Sequence, residues 1–230
     1  MALFIFNRTK QLHLKYFIKN IALILLFSGS LFSCTKFGKN ITVTGRVLNP
    51  ITGEGHEGVK VVLHKGTLEI VGGKTVKTVY TGADGRFEIN HAGGVMTYSV
   101  VVQYGGYDLG WDIDGSYNLQ PLGITKGKKQ NVDYHGVPYG NLITHAENIN
   151  CSGPADSMQS RARYQFDSNY DSFGYIWREG CYNYTSPTAS KVPMGYRYIE
   201  TKVVRSGVTT YVYDTVFVTE QGTSYLDILY

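Results

Sequence analysis

The sequence predicts an all-β protein of two β-sandwich units behind an N-terminal signal segment. Three observations carry that expectation. The chain is rich in Tyr, Val, Thr and Gly and has few patterns of helical length, a composition suited to half-buried pleated strands. Apolar residues recur with period two in several short segments, the spacing that lines one face of a strand. Clusters of Gly, Asn, Asp and Pro separate those segments, as turns separate short strands in sandwiches.

The first unit spans residues 41–137. Ile41, Val43, Gly45 and Val47 share one face, with Thr42, Thr44 and Arg46 on the other, which predicts a half-buried strand. Asn49 to Gly58 is dense in turn formers, and Val59 to Leu63 reads as a second strand. Asp84-Gly85, between the β-prone runs from Thr78 and to Ile89, predicts a hairpin. Tyr98 to Tyr104 supplies a further strand. The succession Thr44-Gly-Arg-Val, Thr52-Gly, Gly58-Val-Lys-Val and Thr81-Gly-Ala-Asp-Gly-Arg-Phe resembles the carboxypeptidase regulatory-like domain, a transthyretin-like sandwich. The resemblance covers roughly residues 41 to 135 and implies a fold without a ligand site. The stretch from Gly105 to Gly127 departs from it, being longer and richer in Gly and aromatics than a minimal loop.

The second unit spans residues 138–230 and reads as an Ig-like sandwich; the alternative is one larger domain in which its strands extend the first. Met158, Ser160, Ala162, Tyr164 and Phe166 alternate with Gln159, Arg161, Arg163 and Gln165, an amphipathic strand. Tyr196 to Val204 and Val208 to Tyr213 flank Arg205-Ser-Gly207, a second hairpin signal. Tyr211 to Val218 and Tyr225 to Tyr230 supply the closing strands. Trp177 is expected in the core, by analogy with the tryptophan that fills Ig-like sandwiches.

Residues 1–33 read as a lipoprotein signal peptide. Arg8, Lys10, Lys15 and Lys19 form a basic region without acids, and the apolar run from Ile21 is about a dozen residues, short of the roughly 20 that a spanning helix needs. Leu31-Phe-Ser-Cys34 resembles the bacterial lipobox, which implies cleavage and acylation at Cys34, with residues 34–40 as a tether. Of 22 Lys and Arg, four precede Cys34, which leaves 18 against 18 acids. A neutral mature chain lacks the basic excess of a nucleic-acid binder. The residues after Cys34 lack the acidic cluster of many surface-exported Bacteroidetes lipoproteins, so the periplasmic face of the outer membrane is expected ahead of the cell surface.

No catalytic constellation is legible. There is no Gly-x-Ser-x-Gly elbow, P-loop or dinucleotide fingerprint. The chain also lacks the Tyr-Arg-Gly-Ser terminus of the hydrolytic branch of the transthyretin-like fold. His56, His64, His91, His135 and His145 are scattered, and Asp112-Ile-Asp-Gly115 reads as an Asp-stabilised turn ahead of a calcium loop. No metal and no cofactor are therefore expected. Once Cys34 is acylated, Cys151 and Cys181 remain in an oxidising compartment and are expected to pair.

Ligand-binding candidates are Tyr170, Phe173, Tyr182 and Tyr184, set among Asp, Ser, Asn and Gly in expected loops. A second patch is Tyr104, Tyr107 and Trp111. The expected function is a non-enzymatic structural, adaptor or binding role of a lipid-anchored envelope protein, with envelope proteins or polysaccharide as partners. The alternative is a surface glycan-binding lipoprotein; a hydrolase with a dispersed site ranks below both.

Overall fold

The computed structural model describes residues 39–66, 73–171 and 176–230. Cys34, the signal segment and Phe173 lie outside them. The protein is all-β. Its first strands are β1 (Ile41–Leu48), β2 (Lys60–Lys65), β3 (Lys74–Tyr80), β4 (Arg86–His91), β5 (Tyr98–Gln103), β6 (Tyr107–Ile113), β7 (Ser116–Asn118), β8 (Leu122–Gly123), β9 (Lys129–Asn131) and β10 (Asp133–Val137). They are followed by β11 (Tyr139–Glu147), β12 (Ser157–Tyr164), β13 (Ile176–Glu179), β14 (Asn183–Thr185), β15 (Ser190–Pro193), β16 (Gly195–Arg205), β17 (Val208–Val218) and β18 (Thr223–Leu229). Each sheet draws its strands from one side of Pro138 only.

The first sandwich packs a sheet of order β4-β1-β10-β6-β7, with β9 also beside β1, against a sheet of order β3-β2-β5-β8. Alternation in β1 translates directly into burial, since Ile41, Val43, Gly45 and Val47 all face inward. They meet Leu63, Ile89, Val100, Trp111 and Tyr134 in one core. Most of the Gly105–Gly127 stretch is strand. Asp114 and Gly115 (φ 53° and 80°) form the two-residue turn between β6 and β7, and Asp112 Oδ1 accepts from Gly115 N at 2.9 Å.

The Asp84-Gly85 turn forms, but the expected hairpin does not. Gly82 N donates to Arg86 O, Gly85 N donates to Gly82 O, and Asp84 Oδ1 accepts from Arg86 N. The flanking strands then part, β3 pairing with β2 and β4 with β1. The turn thus carries the chain between sheets. Packing decides this outcome: Val47 N donates to Gly85 O, and Val47 O lies only 2.4 Å from where a Cβ on Gly85 would stand. A local turn signal fixes the reversal and leaves open which strands pair beyond it.

In the second sandwich β11 is flanked by β14 and β15 on one edge and by β18 on the other. The opposing sheet has the order β13-β12-β16-β17. Ser206 and Gly207, both at positive φ, make the expected hairpin between β16 and β17. Met158, Ile199, Val203, Val218 and Ile228 build the core. Asp214 shares the inward phase of β17 with Val212 and Val216, and its buried Oδ2 has no hydrogen-bond partner among the described residues. Burial accordingly raises its carboxyl pKa. Such an inward carboxylate on an edge strand opposes docking of a foreign strand there.

Cys151 and Cys181 form a disulfide across a sequence separation of 30, with Cα atoms 5.1 Å apart. Beside it, Asp156 accepts from Ser152 N at 2.8 Å, Ser152 Oγ at 2.7 Å and Asn148 Nδ2 at 3.1 Å. Arg205 Nε stands 3.8 Å from the same carboxylate. The Ser152 backbone and side-chain donors chiefly hold the Asp156 pKa below its usual 3.8, helped by Asn148 and Arg205. A depressed folded-state pKa stabilises above the unfolded value and is lost as pH falls through the folded one. Asp156→Asn is therefore expected to lower the melting temperature by several degrees at pH 7. The deficit should shrink below about pH 4, which melts collected from pH 7 to pH 2 will check.

The sandwiches meet through a small cluster. Tyr107 packs edge-on against Tyr164 (ring centroids 5.4 Å apart), with Val137, Met194 and Ile51 around them. Tyr164 OH donates to Met194 O at 2.6 Å, and Met194 N donates to Pro138 O.

Candidate functional site

The predicted patch of Tyr104, Tyr107 and Trp111 does not come together as one exposed surface. Trp111 has no exposed area; it is wedged edge-on between Phe87 and Tyr134, at 6.3 and 5.3 Å between centroids. Tyr107 belongs to the junction between sandwiches. Tyr104 lies over His56 at 4.7 Å, and its hydroxyl is 3.1 Å from His56 Nε2. Burial raises its pKa. Gly136 permits this close packing, because a Cβ there would stand 2.5 Å from the Tyr104 ring. Much of the stretch that looked loop-like is strand, and Trp111 on β6 turns inward while Tyr117 on β7 is exposed.

Tyr182 and Tyr184 stand at the mouth of a cavity of about 150 Å³ between the two sheets of the second sandwich. Ala146, Met158 and Ile228 form its apolar walls, and Thr144, Ser160 and Ser186 add hydroxyl groups. Arg178 Nε donates to Tyr182 OH at 3.1 Å. The two Tyr rings are tilted at 6.1 Å. Tyr170 is elsewhere: its ring lies under the Arg161 guanidinium at 4.7 Å and 5.9 Å from that of Arg163. The expected loop cluster is thus split between a cavity mouth and a sheet face.

That face is the outward side of β13-β12-β16-β17, and the cross-strand register orders it in rows. Trp177, Gln159, Lys202 and Tyr211 are successive partners across four strands. Arg161, Glu200 and Tyr213 form the next row, then Arg163, Tyr198 and Thr215. Tyr196 and Phe217 follow, with rings 4.9 Å apart. Four of these rings are about half in water or more: Trp177 49%, Tyr196 47%, Tyr211 50% and Tyr213 68% exposed. Trp177 therefore contradicts its expected place in the core.

The cations between the rings are engaged. Arg161 Nη2 lies 2.9 Å from Glu200 Oε2, Arg163 sits 4.5 Å over Tyr198, and Lys202 Nζ is 5.7 Å from the Trp177 ring. Such cation–ring contacts contribute about 0.5–1 kcal/mol at exposed sites. They hold Trp177, Tyr198 and Tyr170 beside cations of the face.

This face was missed in the sequence, although a signal existed. In β16, Tyr196 and Tyr198 fall in the same phase as Glu200 and Lys202, opposite Ile199 and Val203. Aromatics in the polar phase of a strand point outward. The histidines stay apart: His56 and His64 face Gly136 O and Gly73 O, His135 faces Tyr117, and His145 faces Thr185 and Glu147.

Comparisons with known protein families and with curated sequences find no match. Among solved structures, the Bacillus anthracis TIE protein is similar at 13% identity and a TM-score of 0.32, over 84% of this chain and 34% of its own. A streptococcal ancillary pilin is similar at 12% identity and 0.32, over 82% of this chain and 62% of its own. The minor pilin of Streptococcus agalactiae is similar at 12% and 0.33, over 82% and 94%. The chain thus spans about a third of the first of these proteins and under two thirds of the second, and likeness at this level attaches no ligand or partner to it.

Proposed function

We propose that this chain is a lipid-anchored, non-enzymatic protein of the cell envelope that works by binding. Acyl chains on Cys34 hold it at the outer membrane, on the periplasmic face, and the outward face of β13-β12-β16-β17 contacts another envelope component, protein or polysaccharide. The observation that carries the binding role is that face itself, with four large rings about half-exposed or more on one sheet. Exposed aromatic groups concentrated on one surface mark interaction sites.

Anchoring rests on chain chemistry. Each buried methylene of an acyl chain contributes about 0.8 kcal/mol, so a multiply acylated cysteine would retain a domain with no helix long and apolar enough to span a membrane among its described residues. Cys34→Ala is expected to move nearly all of the protein from the membrane to the soluble fraction on cell fractionation. Retention of the variant in the membrane would sink the anchoring. Protease treatment of intact cells separates the two sides of the membrane: a periplasmic protein survives it, whereas the alternative, a glycan receptor on the surface, is digested.

A further inference from the structure

We infer that the outward face of β13-β12-β16-β17 is a platform for an extended, neutral polysaccharide chain, which takes the binding role proposed above as given and names its ligand class. Trp177 and Tyr211 end one row and are separated by three interstrand spacings, about 14 Å. Between them the row carries Gln159, which is buried, and Lys202, which is half-buried. Tyr213 and Tyr196 continue the aromatic side of the face along β17 and β16. The surface is open and longer than any one small molecule needs.

The chemistry of the rows selects the ligand. A pyranose ring is apolar on its C–H faces and polar around its hydroxyl rim. It needs flat aromatic surfaces to stack on and hydrogen-bonding side chains between them, and it stays wet at its edges. A protein partner requires something different, because the buried centre of a protein interface is depleted in Lys and Glu. Here Lys202 and the Arg161–Glu200 pair lie between Trp177 and the tyrosines of β17, with the Tyr170 ring against Arg161. Covering them with protein would desolvate charges that already have partners. An anionic polymer is disfavoured for the same reason: Arg161 is held by Glu200, and Arg163 lies on Tyr198.

The platform is distinct from the cavity at Tyr182 and Tyr184, which lies between the sheets. That separation supplies an internal control. Trp177 and Tyr211 lie on the two edge strands of their sheet and are half-exposed, so their loss spares the core.

The test is affinity electrophoresis of the full chain in mild detergent. The gels contain mannan, mixed-linkage β-glucan, xylan, soluble starch or the deproteinised polysaccharide fraction of the producing cell's own envelope. At least one polymer is expected to retard the wild type, and the retardation should persist in 0.3 M salt. Trp177→Ala with Tyr211→Ala should weaken it at least tenfold, Trp177→Phe with Tyr211→Phe should retain most of it, and Tyr182→Ala with Tyr184→Ala should leave it unchanged. Unaltered thermal melts of each variant confirm folding. Retardation by none of the polymers overturns the ligand class, as does binding abolished by salt or insensitive to Trp177 and Tyr211. Capture of envelope proteins that depends on Trp177 and Tyr211 in the absence of polysaccharide binding overturns the ligand class and leaves the binding role standing. Capture of neither overturns both.

Discussion

Trp111→Ala is expected to destabilise the first sandwich by about 3–5 kcal/mol, the range for removing a large aromatic from a packed core. Trp111 has no exposed area and its ring meets Phe87 and Tyr134 edge-on, so truncation removes both transfer energy and two aromatic contacts. Neighbouring β-branched residues in the sheets, Val43, Val47 and Val100 among them, have few rotamers with which to collapse into the space. Denaturant unfolding followed by far-ultraviolet circular dichroism should show an early transition for the first sandwich in the variant, while Trp111→Phe loses much less. A cost below about 1 kcal/mol would mean that the ring is not the centre of this core. Polysaccharide retardation by the second sandwich should survive the change.

Removal of the Cys151–Cys181 bridge ranks with it. Closing a loop of 30 residues limits the unfolded chain, which amounts to about 3–4 kcal/mol in the chain-entropy description. Cys151→Ser with Cys181→Ser is therefore expected to lower the melting temperature of the second sandwich by roughly 10–20 °C, and reductant should do the same to the wild type. Two reactive thiols in unfolded, unreduced protein would show that the bridge does not form. Asp156 sits between the bridged segments, accepting from Ser152 and holding Gly180 N through its carbonyl. The bridge and the carboxylate order the same loop. Their losses should thus add to less than the sum of the single effects.

The sequence made the fold class legible because a strand exposed on one face writes its burial into alternate residues. β1, β12, the β16–β17 hairpin and the disulfide follow that logic. What alternation leaves out is pairing. Asp84-Gly85 marks a reversal but holds no information about which sheet receives β4. The two tryptophans show the limit most clearly, since the expected core residue Trp177 faces water and the expected surface residue Trp111 is fully buried. Both expectations came from context, an analogy for one and a Gly-rich neighbourhood for the other. The phase of each residue on its own strand is what decides. Trp177 is opposite Gln159 on the outward side, and Trp111 is opposite Tyr134 on the inward side.

The place of β1 in its sheet bears on mechanics. The segment that precedes Ile41 enters the fold through a strand bonded along both edges: antiparallel to β4 from Ile41 to Arg46, parallel to β9 from Thr42 to Thr44, and parallel to β10 at Val47 and Leu48. A pull applied at Ile41 along the axis of β1 is borne by both neighbours. It therefore loads these ladders in shear, many bonds at once, and cannot unzip them singly as it could at a hairpin end. Were the chain anchored at Cys34 as proposed, the sandwich would be held where its sheet is loaded in shear.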